Sequence, residues 1–452
     1  MLFNSLDFLI FFPVVTLLYF VLPHRWRWFQ LLVASCVFYM YFIPAYLLIL
    51  LFTIVVDYVA GIVIERSAGR RRKLFLLMSI AANLGVLFVF KYAGWISTSW
   101  SLVLPIGLSF HTFQAMSYTI EVYRERQPAE KHMGIYALYV MFYPQLVAGP
   151  IERPYQLLPQ LKERHYFTWE NLGAGLRLML LGFFKKLVIA DRLGGYVNYV
   201  YGHAQYLSYG YVIVAVVFFS FQVYCDFSGY SDIAIGAART MGFDLMENFN
   251  RPYFARNIRE FWSRWHISLT TWFRDYVYIP LGGNRVGRYR KYFNVMIVFL
   301  LSGIWHGAGW NFLIWGAMHG VMMLVWLWWR ERPGRTERRS VWGVGGMILT
   351  FCLVSVAWVF FRCGTMDQAL TVLHHLFVGK GNIYYEQGIT RTTIAVGFIF
   401  ILLLLVLEKY TTPKLEELKG KFWPDIAFGV LMLTSILMWG IFTGRSFIYF
   451  QF

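Results

Sequence analysis

Charge is scarce in this sequence. Asp, Glu, Lys and Arg together supply 14 % of its 452 residues, against roughly 25 % in a soluble domain. Acids are the scarcer half, 24 against 41 basic residues. A chain of this length ordinarily suggests about three soluble domains, but too little polar surface exists to cover three cores. Cysteine is sparse as well. Cys36, Cys225, Cys352 and Cys363 have neither metal-ligand nor lipidation spacing, so no metal centre, disulfide or redox role is indicated. The first three lie in apolar runs, where a thiol behaves as a small hydrophobe. The N-terminus lacks a basic leader and contains Asp7, so Phe8–Leu22 reads as an uncleaved first span and not a secretory signal.

What is abundant is apolar. Hydrophobic residues reach 58 % and aromatics 20 %. The low charge excludes disorder, and the apolar content excludes nucleic acid as the reason for the +17 formal charge. A polytopic helical membrane protein remains. A span needs about 20 mainly apolar residues to cross roughly 30 Å of hydrocarbon. Trp28–Val56 is uncharged and Pro44 splits it into two short spans. Leu74–Phe90, Tyr136–Val147, Leu172–Phe184, Tyr209–Tyr224, Ser340–Phe361, Thr392–Leu407 and Ile426–Gly444 follow. Tyr292–Trp329 holds only His306 and His319 as ionisable groups and is too long for one span. It must break, and Gly303, Gly307 and Gly309 mark the place. The expected total is about 11 spans. No repeat or soluble domain interrupts them, so 1–452 reads as a single membrane domain. Within it, 245–291 forms amphipathic helices, interfacial or interior, carrying His266, and 292–329 carries His306.

Orientation follows from the loops. Arg66, Arg70, Arg71, Arg72 and Lys73 share one short connection, and Arg330, Arg332, Arg335, Arg338 and Arg339 another. Positive loops stay cytoplasmic. Arg25 and Arg27 join them if Trp28–Val56 crosses twice, which places both the N-terminus and the C-terminal Arg445–Phe452 outside.

Ionisable groups at membrane depth are expensive and are functional candidates by default. His306 leads, about 14 residues into a helix starting near Tyr292, or roughly 21 Å along it. It sits in Ser302-Gly-Ile-Trp-His-Gly-Ala-Gly-Trp310, where glycines permit a break and tryptophans flank the imidazole. His319 follows one segment later, and His111 is a weaker candidate. Between Glu247 and Lys291 nine basic residues interleave with aromatics around His266, a pattern too charged to span. Such a segment suits either anionic lipid or an anionic cofactor entering from the cytoplasm, since arginines and aromatics match phosphates and a purine. Asp57, Lys91, Asp226 and Asp232 could line an ion path, although such residues more often pair and hold helices together. Lys185 and Lys186 could snorkel to a head-group or answer a buried acid.

These strings, in this order, resemble the membrane-bound O-acyltransferase (MBOAT) family, in particular its bacterial branch containing the membrane component of alginate O-acetylation. The D-alanyl transferase of teichoic acids shares the pattern. The resemblance runs through Met1–Phe8, Leu104–Gln114, Gln145–Arg153, Phe184–Asp191, Asp226–Asp232, Asn248–Pro252, Phe261–Ser268, Trp305–Trp310 and Phe447–Phe452. It implies an all-helical fold of spanning and in-plane helices around a central tunnel. It also implies His306 and His266 as the two active-site positions, with His319, Trp305, Trp265 and Asn257 in support. Position 111 departs from the pattern, carrying His where Tyr is expected.

The implied chemistry is acyl transfer from a thioester to a hydroxyl. Neutral His306 would be the general base, while His266 orients the thioester or hydrogen-bonds the oxyanion. A covalent acyl-histidine is not required. No cofactor is held permanently and no metal is expected. Acetyl-CoA is the expected donor, with Arg259, Arg264 and Arg274 toward its phosphates, and an acyl carrier protein is the alternative. Expected partners are membrane lipid, a periplasmic acetyltransferase or esterase-like protein, and polysaccharide export machinery in the bacterial inner membrane. Peptidoglycan O-acetylation and teichoic-acid D-alanylation are the rival reactions. A transporter of acyl donor or glycan, or a structural export subunit, is the rival class.

Overall fold

The computed structural model describes residues 1–96, 103–147, 149–332, 343–378, 390–411 and 422–442. Arg335, Arg338, Arg339 and Arg445–Phe452 therefore lie outside the described residues. The described chain is helical, with no strand among those residues. Among the described residues, six helices are long and apolar enough to cross a membrane: 44–66, 69–91, 209–240, 310–330, 343–362 and 391–409. Two shorter apolar helices are Leu6–Val21 and Ile426–Trp439. Leu17, Leu48, Val344 and Leu402 are exposed along such helices, apolar surface that only lipid can cover.

The expected breaks occur where the backbone demands them. Pro44 lies between His24–Met40 and Tyr46–Arg66, because proline supplies no N–H to continue a helix. Tyr292–Trp329 separates into Arg288–His306 and Trp310–Arg330, with extended Gly307 and Gly309 between them. One expectation is corrected. Tyr136–Val147 is no span of its own, for it divides into Met133–Met141 and Tyr143–Leu146 at Phe142, just before Pro144. Both pieces are almost wholly buried, so their apolarity reflects protein packing and not contact with lipid. The shorter apolar helices Leu6–Val21 and Ile426–Trp439 also coincide with expected spans.

The chain divides into two compact units. The first comprises Met1–Gly182 with Tyr230–Glu247. Here Asp57, on Tyr46–Arg66, accepts hydrogen bonds from Ser79 Oγ at 2.6 Å and from Asn83 Nδ2 at 2.8 Å, both on Gly69–Lys91. His111 Nε2 lies 2.6 Å from Thr53 Oγ1. Both residues thus hold helices together. The second unit comprises Phe183–Gly229 with Asn248–Phe452. Trp265, Trp315 and Trp358 are among its largest fully buried side chains. The helix Tyr209–Thr240 contributes its first part to this unit and its last part to the other.

Lys185 and Lys186 answer buried acids within the second unit. They lie on a π-helical turn, Phe184–Ala190, a rare geometry that concentrates at functional sites. Lys186 Nζ is 2.8 Å from Asp191 Oδ1 and 2.6 Å from Asp226 Oδ1, and all three residues are buried. Lys185 Nζ is 3.9 Å from Glu408 Oε1, which also accepts a hydrogen bond from the Tyr224 hydroxyl.

Candidate active site

Both candidate histidines belong to the second unit. His306 is the last residue of Arg288–His306, four residues further along its helix than a start at Tyr292 implies, and it is buried. Its helix runs back against Trp310–Arg330 and approaches it most closely at two glycines. A Cβ on Gly303 would meet the Phe312 carbonyl oxygen at 2.4 Å, and one on Gly316 would meet the Phe299 carbonyl oxygen at 2.4 Å. Small residues permit this close backbone approach between membrane helices. The seam fixes where the imidazole emerges.

The segment around His266 consists of short helices, Pro252–Phe254, Ile258–Trp262 and Ile267–Phe273, the last running on into Arg274–Tyr278. Ile258–Trp262 is capped by Asn257, whose Oδ1 accepts from the Glu260 N–H at 3.0 Å. His266 caps Ile267–Phe273 with φ 43° and ψ 55°, a left-handed conformation that costs of order 1–3 kcal/mol outside glycine. Neighbouring strands of loop hold it there. The Ile267 N–H donates to the Asn248 carbonyl at 2.9 Å, and the Asn250 N–H donates to the Arg264 carbonyl at 2.9 Å. His266 is 1 % exposed, and burial pushes its imidazolium down to about 3. It is therefore neutral at physiological pH.

Aromatic rings link the histidines. The Trp305 centroid lies 6.3 Å from that of His266 and 4.8 Å from that of His306. Trp315 lies 4.9 Å from His306 and 4.9 Å from His319. Phe227 packs edge-on to His266 at 4.6 Å, and Phe361 to His306 at 5.2 Å. Trp265 stacks on Phe261 and meets Trp358 at 5.0 Å, closing the wall behind the site. Polar atoms within this apolar box are conspicuous. Both ring nitrogens of His319 and the indole nitrogens of Trp262, Trp315 and Trp358 are buried with no hydrogen-bond partner among the described residues. Unsatisfied buried donors are costly and rare.

The structure thus gathers His266, His306, His319, Trp305 and Trp265 into one aromatic cluster. Asn257 has a different place, as a helix cap. The three arginines have partners of their own. Arg264 binds Glu260 Oε1 at 2.6 Å, Arg274 binds Asp275 Oδ1 at 2.7 Å, and Arg259 lies over Trp326 at 5.3 Å. Asn248 lies against His266, with its Oδ1 3.1 Å from His266 Nδ1; in the sequence it stands out only as part of the string Asn248-Phe-Asn-Arg-Pro252.

Comparison with known proteins places this geometry in context. Residues 85–364 match the model of the MBOAT, membrane-bound O-acyltransferase, family. The chain is 38 % identical over 426 residues to the "Probable alginate O-acetylase AlgI" of Pseudomonas aeruginosa, covering 90 % of this chain and 81 % of that one. It is 35 % identical over 424 residues to the peptidoglycan O-acetyltransferase of Helicobacter pylori, covering 82 % and 79 %. With the teichoic acid D-alanyltransferase of Streptococcus thermophilus it shares 31 % identity over 278 residues, covering 58 % and 65 %. The chain is a multi-pass membrane O-acyltransferase and belongs to the membrane-bound O-acyltransferase family.

Proposed function

We propose that this protein moves an acetyl group from a cytoplasmic thioester, acetyl-CoA, to a hydroxyl acceptor that serves O-acetylation of an alginate-like periplasmic or extracellular polysaccharide. The observation that carries this reading is the pair of buried imidazoles sharing Trp305. His306 takes the proton of the acceptor hydroxyl as its oxygen attacks the thioester carbonyl carbon. The carbon–sulfur bond then breaks, and the imidazolium returns the proton to the departing thiolate. The indole N–H of Trp315, buried beside His306 with no acceptor among the described residues, suits a developing oxyanion. His266 orients the substrate, and His319 supports Trp315.

The exposed Arg259 and Arg274 suit the donor's phosphates. In this reading the chain lies in a bacterial inner membrane with both termini outside, and a periplasmic acetyltransferase or esterase-like partner hands the group to the polymer. Alginate is favoured over teichoic acid because the "Probable alginate O-acetylase AlgI" of Pseudomonas putida aligns over 100 % of this chain, whereas the D-alanyltransferase aligns over 58 %.

The test uses proteoliposomes with labelled acetyl-CoA inside and a hydroxyl acceptor outside. Wild type should move label outward. His306→Ala should lose at least about 10²–10⁴-fold, the worth of a general base, while inserting at wild-type levels. Wild-type transfer by the purified His306→Ala protein would overturn the assignment.

A further inference from the structure

Asn248 decides which nitrogen of His266 carries the proton. Its Oδ1 accepts from the Ser268 backbone N–H at 3.3 Å and lies 2.9 Å from the Ser268 hydroxyl. A backbone N–H can only donate, so the amide atom facing it is the oxygen and not the nitrogen. The same oxygen lies 3.1 Å from His266 Nδ1. A carbonyl oxygen cannot donate, so Nδ1 bears the hydrogen. In a neutral imidazole the other nitrogen is then an acceptor. Asn248 is itself 1 % exposed and anchored through its own carbonyl to the Ile267 N–H at 2.9 Å. The amide cannot turn over without losing these contacts.

We propose that Asn248 is a positioning residue that holds His266 as its Nδ1–H tautomer, so that Nε2 presents a lone pair to an N–H or O–H of the bound substrate other than the reacting hydroxyl. The proposal rests on the reading of His266 as an active-site group. It chooses between the two roles open to that residue. An imidazole protonated at Nδ1 alone has no hydrogen at Nε2 to give an oxyanion, so orientation by hydrogen-bond acceptance is the role, and the oxyanion donor lies elsewhere. Protonation of Nε2 would cancel that role, and burial opposes it.

The charged and titratable groups on the elements around His266 are few. The helix that supplies Phe227 carries Asp226, which is ion-paired with Lys186. The helix that supplies Trp305 carries His306. Arg264, close by in the chain, is paired with Glu260, and Arg251 stands at the head of the facing loop with φ 47°. A carboxylate in place of the Asn248 amide would be a new negative charge against the ring.

The experiment measures the tautomer directly and then its consequence. Nitrogen NMR of full-length, histidine-labelled protein in lipid bilayers, with His266→Asn as the difference control among the ten histidines, should show a protonated Nδ1 and a bare Nε2 in wild type. This spectrum requires no variant of Asn248 to fold. Asn248→Asp keeps an acceptor for Nδ1–H but favours the charged ring, so in the same spectra the His266 ring should take up its second proton at higher pH than in wild type, by about 1 unit or more. Its activity at neutral pH should stay within about tenfold of wild type, since the ring remains oriented. Asn248→Leu, which frees both tautomers, should lose about 10–100-fold at every pH, as for other residues that orient an imidazole. A wild-type spectrum with the proton on Nε2, an Asn248→Asp ring that titrates as in wild type, or a fully active Asn248→Leu protein would each overturn the proposal. Activity in His306→Ala would instead overturn the reading of the site, leaving the tautomer to be judged by the spectrum alone.

Discussion

His266 occupies a backbone region that L-residues rarely adopt, with φ 43°, and it does so where the aromatic cluster needs its ring. Asparagine tolerates this conformation far better than most residues. His266→Asn should therefore fold and insert normally while acyl transfer falls at least about 10-fold, as assayed in proteoliposomes. Normal transfer would show that the ring is dispensable. Burial also gives the residue a pH signature. The folded-state value is held near about 3, below the ordinary 6.5 of an unfolded chain. Between those values the unfolded chain binds a proton that the folded protein refuses. The contribution is thus fully present above about pH 6.5 and is lost as pH falls, by at most about 1.4 kcal/mol per unit. Thermal unfolding in detergent from about pH 7 down to about pH 4 should show a shallower decline for His266→Asn than for wild type. Parallel declines would contradict the burial argument.

The decisive element is the pair of helices Arg288–His306 and Trp310–Arg330. Backbone approaches backbone at Gly303 and Gly316, so a side chain at either would have to displace a carbonyl and not a flexible group. Gly303→Val should cost about 1–3 kcal/mol or more and, by shifting His306, reduce transfer beyond the loss of folded protein. Gly173→Ala is the contrasting case, with nothing within 4 Å of its added methyl. It sits in a helix interior, so it should stabilise by about 0.5–1 kcal/mol. Equal effects from the two substitutions would refute the seam. The turn Phe184–Ala190 is held differently, by Lys186 between Asp191 and Asp226. Lys186→Met should cost about 3–5 kcal/mol, because it leaves buried carboxylates without their shared cation. The double substitution Lys186→Met with Asp226→Asn should recover part of that loss in denaturant unfolding. A single variant as stable as wild type would show that the ion pairs contribute nothing.

Much of this was legible at short range. Pro44 and the run Gly307 to Gly309 break helices by their own backbone chemistry, so both breaks could be read from the sequence. His306 was legible because an imidazole in an apolar run is expensive. Asn248 was not, because nothing local couples it to a histidine 18 residues away. Lys186 and Asp226 were each visible as costly charges, yet their pairing spans 40 residues and needed the folded unit. Asn257 caps the helix Ile258–Trp262, a role that its polarity alone did not distinguish from support of the site.

For the molecule as a whole, topology is the open quantity, and it can be measured. The helix order places the connection at Ala45 and the connection at Ala68 on opposite faces of the membrane. The basic run Arg70 to Lys73 adjoins the second, and positive loops remain cytoplasmic. A single cysteine introduced at Ala45 in an otherwise cysteine-free protein should react with a membrane-impermeant maleimide from outside intact cells. One at Ala68 should react only after the membrane is opened. The reverse pattern would invert the whole orientation and with it the side from which the thioester enters.

The sequence by itself determined the solvent and the chemistry on offer. Its shortage of charge required lipid around a helical chain, and it marked two candidate histidines, His306 in an apolar run and His266 in a basic, aromatic segment. Both follow from local cost, which acts residue by residue. Only the tertiary structure decided that the two imidazoles share one tryptophan, and that an asparagine assigns the proton of one of them. Such geometry is a property of converging elements, and hydropathy carries no record of which elements converge.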